Sequence, residues 1–334
     1  MKLAQLYMKI KQLFASILML AGAVVASATV PATTAQLPDS LYLMAYFTSP
    51  AQHLFYAWSA DGLHWQQLNS GKPIFTAYDD AVWMRDPYLN RVTRNGVTTY
   101  HLVHTWGWDN PAIFHWQSND LIHWSAADGG VTTDSGKIYV MDGVGGNPLA
   151  PNAWAPEFTY VPEEDLFYVY WSSRVDDRQL HYVTSTRDWL SFTTPQPLFD
   201  PAFTAIDLTV VREDGVFHGY YKDERIGKKT ILHATTRSLD PAVDTFNGTA
   251  RVLPDDYLIE VEGPTVFPII GGGGYIGYFD KFNGDAGLSY MRCTSLAEGD
   301  WQLIPDAHTV NVPDVKHGSV VIISRDELLR LLHL

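Results

Sequence analysis

Ser59-Ala60-Asp61-Gly62-Leu63-His64-Trp65 and Ser118-Asn119-Asp120-Leu121-Ile122-His123-Trp124 are two copies of one phrase, Ser/Thr-x-Asp-x-x-x-Trp, each set directly after an apolar run. Weaker copies stand at Thr186-Arg187-Asp188-Trp189 with Phe192, at Thr236-Arg237-Ser238-Leu239, and from Ser295 to Asp300-Trp301. Five copies at a period of roughly 50–70 residues mark a repeat architecture, and a strand-only repeat of that size suits a propeller blade of four strands. In such a phrase Ser or Asp starts a tight turn, while Trp or Phe fills the gap between blades. The segments between agree: runs at 41–47, 99–104, 166–171, 216–221 and 275–279 are rich in Val, Ile, Tyr, Phe and Trp and end on Gly, Asn, Asp or Pro. The expected fold is all-β, a single five-bladed propeller.

Between the phrases lie five short strands that begin on a polar or ionisable group. They are Arg85-Asp86-Pro87-Tyr88-Leu89, Trp154-Ala155-Pro156-Glu157-Phe158, Ile206-Asp207-Leu208-Thr209-Val210, Glu262-Gly263-Pro264-Thr265-Val266 and His317-Gly318-Ser319-Val320-Val321. The innermost strands of a propeller run side by side around its channel, so their heads meet at one mouth. The phrase near Ser59 precedes any such strand and none follows His317. The N-terminal segment is therefore expected to complete the blade that the C-terminal strand begins, leaving no open sheet edge. Ser324-Arg325-Asp326-Glu327 ahead of Leu328, Leu329, Leu331 and Leu332 reads as a capping box that starts a short C-terminal helix.

Composition narrows the function. The chain of 334 residues has a formal net charge of −14, which repels phosphate backbones and anionic membranes, so neither nucleic acid nor a membrane surface is an expected partner. Cys293 is the single cysteine, which leaves no internal disulfide and no cysteine zinc site. Lys9 and Lys11, an apolar run over 13–26 and Ala26-Ser27-Ala28 form the three parts of a secretory signal peptide. The expected organisation is a leader over 1–28, a linker over 29–38 and a catalytic propeller over 39–334, exported to the periplasm or medium and acting as a monomer.

The converging heads supply Asp86, Glu157, Asp207, Glu262 and His317, ringed by Trp83, Trp106, Trp108 and Trp154. Crowded carboxyls in a half-closed site push each other's pKa values apart. Cleavage of a glycosidic bond needs that division: one protonated acid for the leaving oxygen and one ionised carboxylate across the sugar. Aromatic faces stack on sugar rings. Asp86 and Glu262 taken alone are equally readable as turn residues, whereas Asp207, set among Ala205, Ile206, Leu208 and Val210, is costly to bury without purpose.

The ordered series Asp-Pro, Trp-Ala-Pro-Glu, Ile-Asp, Glu-Gly-Pro and His-Gly-Ser-Val resembles glycoside hydrolase family 43, five-bladed propellers that act on arabinose, xylose and galactose polymers. The resemblance implies that Asp86 is a general base activating water, that Asp207 tunes and holds the acid, and that Glu262 is the general acid. It implies inversion, with base and acid spaced to admit a water. His317 matches a histidine near the channel axis that in many members helps hold a calcium ion or an ordered water, so a structural calcium is expected there and no cofactor is required. Arg85, Trp83, Trp106, Trp108, Trp154, Glu157, Tyr221, Lys222, Phe279 and His317 are the expected substrate contacts.

Two features depart from the family pattern. Many members carry the base on the first strand after the leader, where this chain has Ala45-Tyr46-Phe47, and Glu260 competes with Glu262 for the role of acid. The Gly-Pro after Glu262 favours Glu262. Arg85-Asp86-Pro87 also resembles a motif of five-bladed fructan hydrolases, but their Asn-Asp-Pro nucleophile and Glu-Cys acid motif are not visible. A sugar-binding propeller without catalysis is the reading from a different class. The expected substrate is an oligosaccharide or polysaccharide that loses a terminal arabinofuranose, galactofuranose or xylose.

Overall fold

The computed structural model describes residues 37–49, 51–75, 83–281, 287–304 and 312–334. The expected leader, and all but the last two residues of the expected linker, lie outside them. The apolar runs become strands because their β-branched and aromatic side chains fit a pleated, half-buried surface. The turn residues between them close tight hairpins. Asn95-Gly96, Asp176-Asp177 and Asp214-Gly215 each join two strands through a two-residue loop with both residues at positive φ, the geometry that matches the strand twist.

The strands form five four-stranded antiparallel sheets. In chain order the first three strands are β1 (Ser40–Tyr46), β2 (Phe55–Ser59) and β3 (Gln66–Gln67). One complete blade then follows as β4 (Arg85–Arg94), β5 (Val97–Thr105), β6 (Ala112–Ser118) and β7 (Lys137–Tyr139), with one helical turn, α1 (Thr133–Gly136), before β7. The next holds β8 (Trp154–Val161), β9 (Leu166–Val175), β10 (Arg178–Thr186) and β11 (Gln196–Phe199). Two more are β12 (Ala205–Glu213) to β15 (Asn247–Arg251), through β13 (Val216–Asp223) and β14 (Ile231–Thr236), and β16 (Val261–Pro268) to β19 (Gln302–Leu303), through β17 (Tyr275–Lys281) and β18 (Gly287–Cys293). The last strand, β20 (Ser319–Ser324), pairs with β1 from Ala45↔Ser319 to Ser40↔Ser324 and becomes the innermost strand of the N-terminal blade. Ring closure is as the repeat pattern requires. The innermost strands β4, β8, β12, β16 and β20 pack each against the next, and β20 meets β4.

The repeated phrase caps the third strand of its blade. Ser59 Oγ accepts from Gly62 N at 2.9 Å while Asp61 Oδ1 accepts from His64 N at 2.8 Å. Ser118 and Asp120 make the same pair of bonds at the same two distances. The fourth position of the phrase is left-handed, at φ 78° for Gly62, 69° for Leu121 and 61° for Trp189. Trp65 is buried with Tyr42 against Phe267, Tyr278 and Tyr290 of the adjoining blade, and Trp189 stacks at 3.7 Å on His115 of the blade before it. Truncating such an aromatic to alanine costs about 3–5 kcal/mol. After β20, α2 (Arg325–Leu331) starts at the expected capping box, with Ser324 accepting from Glu327 N and Glu327 accepting from Ser324 N. Cys293 is buried and unpaired.

Candidate active site

Four of the five innermost strands break register at their heads. Between Arg85↔Thr105 and Tyr88↔Val103, two residues of β4 face one of β5. The same bulge recurs at Trp154/Glu157, Ile206/Thr209 and Glu262/Thr265. One residue in each bulge is left-handed: Asp86 at φ 49°, Ala155 at 45°, Asp207 at 57° and Gly263 at 55°. A bulge bends the strand and re-aims its side chains. Here it lets consecutive residues, Arg85 with Asp86 and Ile206 with Asp207, face the same cavity, which regular alternation forbids. The bulge also shows that the five heads are not strict equivalents. Asp86 and Asp207 hold the left-handed position, Glu262 stands one residue earlier, and Glu157 lies two residues later.

Neighbouring blades are tied through these bulges. Thr105 Oγ1 donates to Asp86 Oδ2 at 2.8 Å and accepts from Ala155 N at 2.7 Å. Asp207 N donates to Ser172 Oγ at 3.3 Å, and Asp207 Oδ2 accepts from Gly263 N at 3.1 Å. Asp207 thus grips the residue directly after Glu262. Ser319 Oγ donates to Pro87 O at 3.0 Å and accepts from Leu89 N at 2.7 Å, joining β20 to β4.

The resulting cavity of about 480 Å³ is walled by Asp86, Asp207, Glu262 and His317, with Arg85, Trp108, Trp154, Lys222 and Asp280 among its other residues. Burial pushes the Asp86 carboxyl up, but His317 and Arg85 outweigh it and hold the group below the ordinary carboxylate value. Burial raises Asp207 to about 6 against the pull of His317, and the nearby Glu262 adds to the rise. Burial likewise takes Asp280 to about 7 although Lys316 opposes it. His317 goes the other way: burial alone would lower it, yet Asp86, Asp207 and Glu157 raise it to about 9, so it is an imidazolium at neutral pH. Its Nδ1 lies 3.5 Å from Asp86 Oδ1. Glu262 Oε2 accepts from Lys222 Nζ at 2.7 Å, and the same ammonium lies 2.7 Å from Glu224 Oε2.

The expected site residues divide by where the pleat points them. Asp86, Asp207, Glu262, Arg85, Trp108, Trp154, Lys222 and His317 line the cavity. Tyr221 and Phe279 do not. Both are fully buried in the core between blades, Tyr221 against Phe199 at 5.0 Å, because Lys222 and Asp280 take the cavity side of those strands. Trp106 packs edge-on against Phe114 and under the Lys137 ammonium, facing away from the cavity that its neighbours Thr105 and Gly107 line. Trp83 is 42% exposed beside Gly107, outside the wall. Glu157 is buried beyond the cavity wall, with Tyr170 OH 3.4 Å from Oε2, and burial raises it to about 8. Glu260 precedes β16 and is not part of the wall, so of the two glutamates only Glu262 is presented. Glu224, Lys229 and Lys316, which sequence reasoning missed, complete the wall. They carry no local signal beyond charge.

The surroundings of His317 do not suit a calcium ion. The imidazolium faces Asp86, the ammonium groups of Lys222 and Lys316 share the wall, and no group of three or more His, Cys, Asp or Glu among the described residues has the geometry to hold a metal.

Residues 38–328 match the family model of a probable glycosyl hydrolase domain related to glycoside hydrolase family 43. The chain is 25% identical to an alpha-L-arabinofuranosidase of Bifidobacterium longum subsp. longum, over 71% of this chain and 26% of that protein. It therefore spans about a quarter of that relative's length. Among solved structures, a family-43 beta-1,3-galactosidase superposes with a TM-score of 0.56 at 10% identity, covering 77% of this chain and 56% of the other. A thermostable family-43 glycoside hydrolase superposes with a TM-score of 0.50 at 19% identity, covering 68% and 72%. At these identities the two structures share the fold.

Proposed function

Because the chain belongs to a family of glycosyl hydrolase domains related to glycoside hydrolase family 43, we propose that it is an exported, inverting enzyme that removes a terminal furanose from a sugar chain. The observation that carries this reading is the convergence of Asp86, Asp207 and Glu262, from three blades, on the wall of one cavity. Asp86, kept ionised by His317 and Arg85 and oriented by Thr105, is the base that takes a proton from water. Glu262 is the acid that protonates the leaving oxygen. Asp207, bonded to the backbone just after Glu262, fixes where that acid stands and places a second carboxyl beside it. General acid and base contributions of this kind are worth about 10²–10⁴-fold each.

A cavity of about 480 Å³ falls in the range of small-ligand pockets, about 300–1,000 Å³, which favours exo action on one terminal sugar. Trp108, half exposed, and Trp154, whose Nε1 donates to Trp108 O at 2.7 Å, offer flat faces at its edge. The name of the Bifidobacterium relative favours arabinofuranose over galactofuranose. Export rests on the leader-like N-terminus. The test is a panel of nitrophenyl α-L-arabinofuranoside, β-D-galactofuranoside and β-D-xyloside together with fructose-terminated oligosaccharides, followed by NMR of the first-formed anomer. Release of one furanose with inverted configuration is expected. Turnover of none of the panel, or retained configuration, refutes the reading.

A further inference from the structure

Charge in the cavity is almost wholly paired. Lys222 serves Glu262 and Glu224, Lys229 serves Glu224 at 2.6 Å, Lys316 serves Asp280 at 3.2 Å, and His317 faces Asp86. Arg85 is the exception. Its charge helps to keep Asp86 ionised, but among the described residues it forms no ion pair with a carboxylate, and its one side-chain hydrogen bond there, from Nη1 to Gln52 Oε1, is long at 3.5 Å. Its guanidinium instead lies 4.3 Å from the ring centre of Trp108 and 4.9 Å from that of Phe47. Stacking on rings occupies the faces of a guanidinium and leaves its in-plane N–H donors free, the donors that bind carboxylates two at a time.

The geometry points to Arg85 as the receptor for a carboxylate on the substrate, so that the sugar chain acted on is acidic and bears a uronic acid beside the furanose that leaves. This rests on the hydrolase reading and adds the class of chain to it. A protein of net charge −14 repels such a chain at long range, yet four of its 23 lysines and arginines line this one cavity. Asp207 and Asp280, raised to about 6 and about 7, further reduce the negative charge there in mildly acidic solution. A neutral sugar offers the Arg85 donors only uncharged hydroxyl oxygens, which make weaker hydrogen bonds than a carboxylate. A carboxylate supplies a bidentate partner for those donors in a setting partly shielded by two aromatic rings.

The experiment titrates the chain carrying Glu262→Gln, in which turnover is expected to be slowed about 10³-fold with affinity retained, with three ligands in a calorimeter. These are a neutral arabinofuranose-bearing tetrasaccharide, the same tetrasaccharide with one glucuronic acid, and the same with one sulfate ester. The uronate ligand is expected to bind at least about tenfold tighter than the neutral one at low salt, with the gap closing in 0.5 M NaCl as screening shortens the field. Adding Arg85→Met should remove the gap, and Arg85→Lys should keep part of it. The proposal is overturned if the uronate ligand gains nothing, if the gap survives Arg85→Met, or if the sulfated ligand binds tightest. The salt response of the Glu262→Gln chain stands even if an Arg85 variant fails to fold. Failure of all three ligands to bind would overturn the arabinofuranose reading on which this inference rests, whereas neutral binding with no gain from the acid overturns only this inference.

Discussion

Replacing Gly263 with alanine tests whether the glycine after Glu262 is what lets the site assemble. Gly263 sits at φ 55°, and a Cβ there would lie 2.5 Å from His317 Cγ and 2.7 Å from Cδ2. A left-handed alanine costs about 1–2 kcal/mol. The clash forces the His317 ring away, and overpacking of that kind costs about 1–3 kcal/mol more. The sum, about 2–5 kcal/mol, falls where Asp86 draws its counter-charge and where Asp207 Oδ2 holds the Gly263 N–H. Displacing such groups by about 1 Å can cost about 100-fold in rate. Gly96→Ala is the control, because Gly96 lies at a hairpin tip at φ 78° with nothing within 4 Å of the added Cβ. It should lose only the backbone part, about 1–2 kcal/mol, and keep full activity. Urea unfolding monitored by tryptophan fluorescence, beside kcat on the best furanoside, reads both effects. If Gly263→Ala is as stable and as active as Gly96→Ala, the close packing of His317 on this glycine does not support the site.

Glu262→Gln should lower kcat by about 10³-fold while sugar affinity stays within a few-fold, and Glu260→Gln should leave both near the parent values; parallel kinetics and binding measurements decide, and the reverse pattern would move the acid to Glu260. His317 has a folded pKa of about 9, above its ordinary value of about 6.5. Its contribution is therefore full below pH 6.5 and lost as pH rises through 9, a loss of about 3 kcal/mol for this buried group. Unfolding free energy measured at pH 6 and pH 10 should fall by about that much more in the parent than in His317→Asn. Equal slopes would show that the carboxylates around His317 do not hold its proton.

Much of the fold was legible because a repeat multiplies weak local signals. No single Ser-x-Asp turn predicts a propeller, but five at one period leave few other ways to bury their strands. The ring closure was readable from order alone, since an orphan phrase at one end and an orphan strand at the other must pair. The three carboxylates were readable because each stands at the head of an apolar strand between two repeat phrases. The aligned heads Arg-Asp-Pro, Ile-Asp-Leu and Glu-Gly-Pro set Glu262 one position ahead of the two aspartates, but the bulges that turn this offset to the cavity were not readable.

Sequence alone determined that the chain folds into five strand blades and that Asp86, Asp207 and Glu262 stand at the heads of inner strands, because both follow from period and chain order. Tertiary structure alone decided which side of each strand faces the cavity. Tyr221 and Phe279 were expected at the rim and lie in the core, while their neighbours Lys222 and Asp280 line the wall. The reason is that side chains alternate with a period of two, so one bulge or a shift of one residue in pairing exchanges the faces. Register is fixed only when five blades close on each other. The same closure brings Lys229 and Lys316, from separate blades, to the wall of the cavity that Arg85, Asp86, Asp207 and Glu262 share.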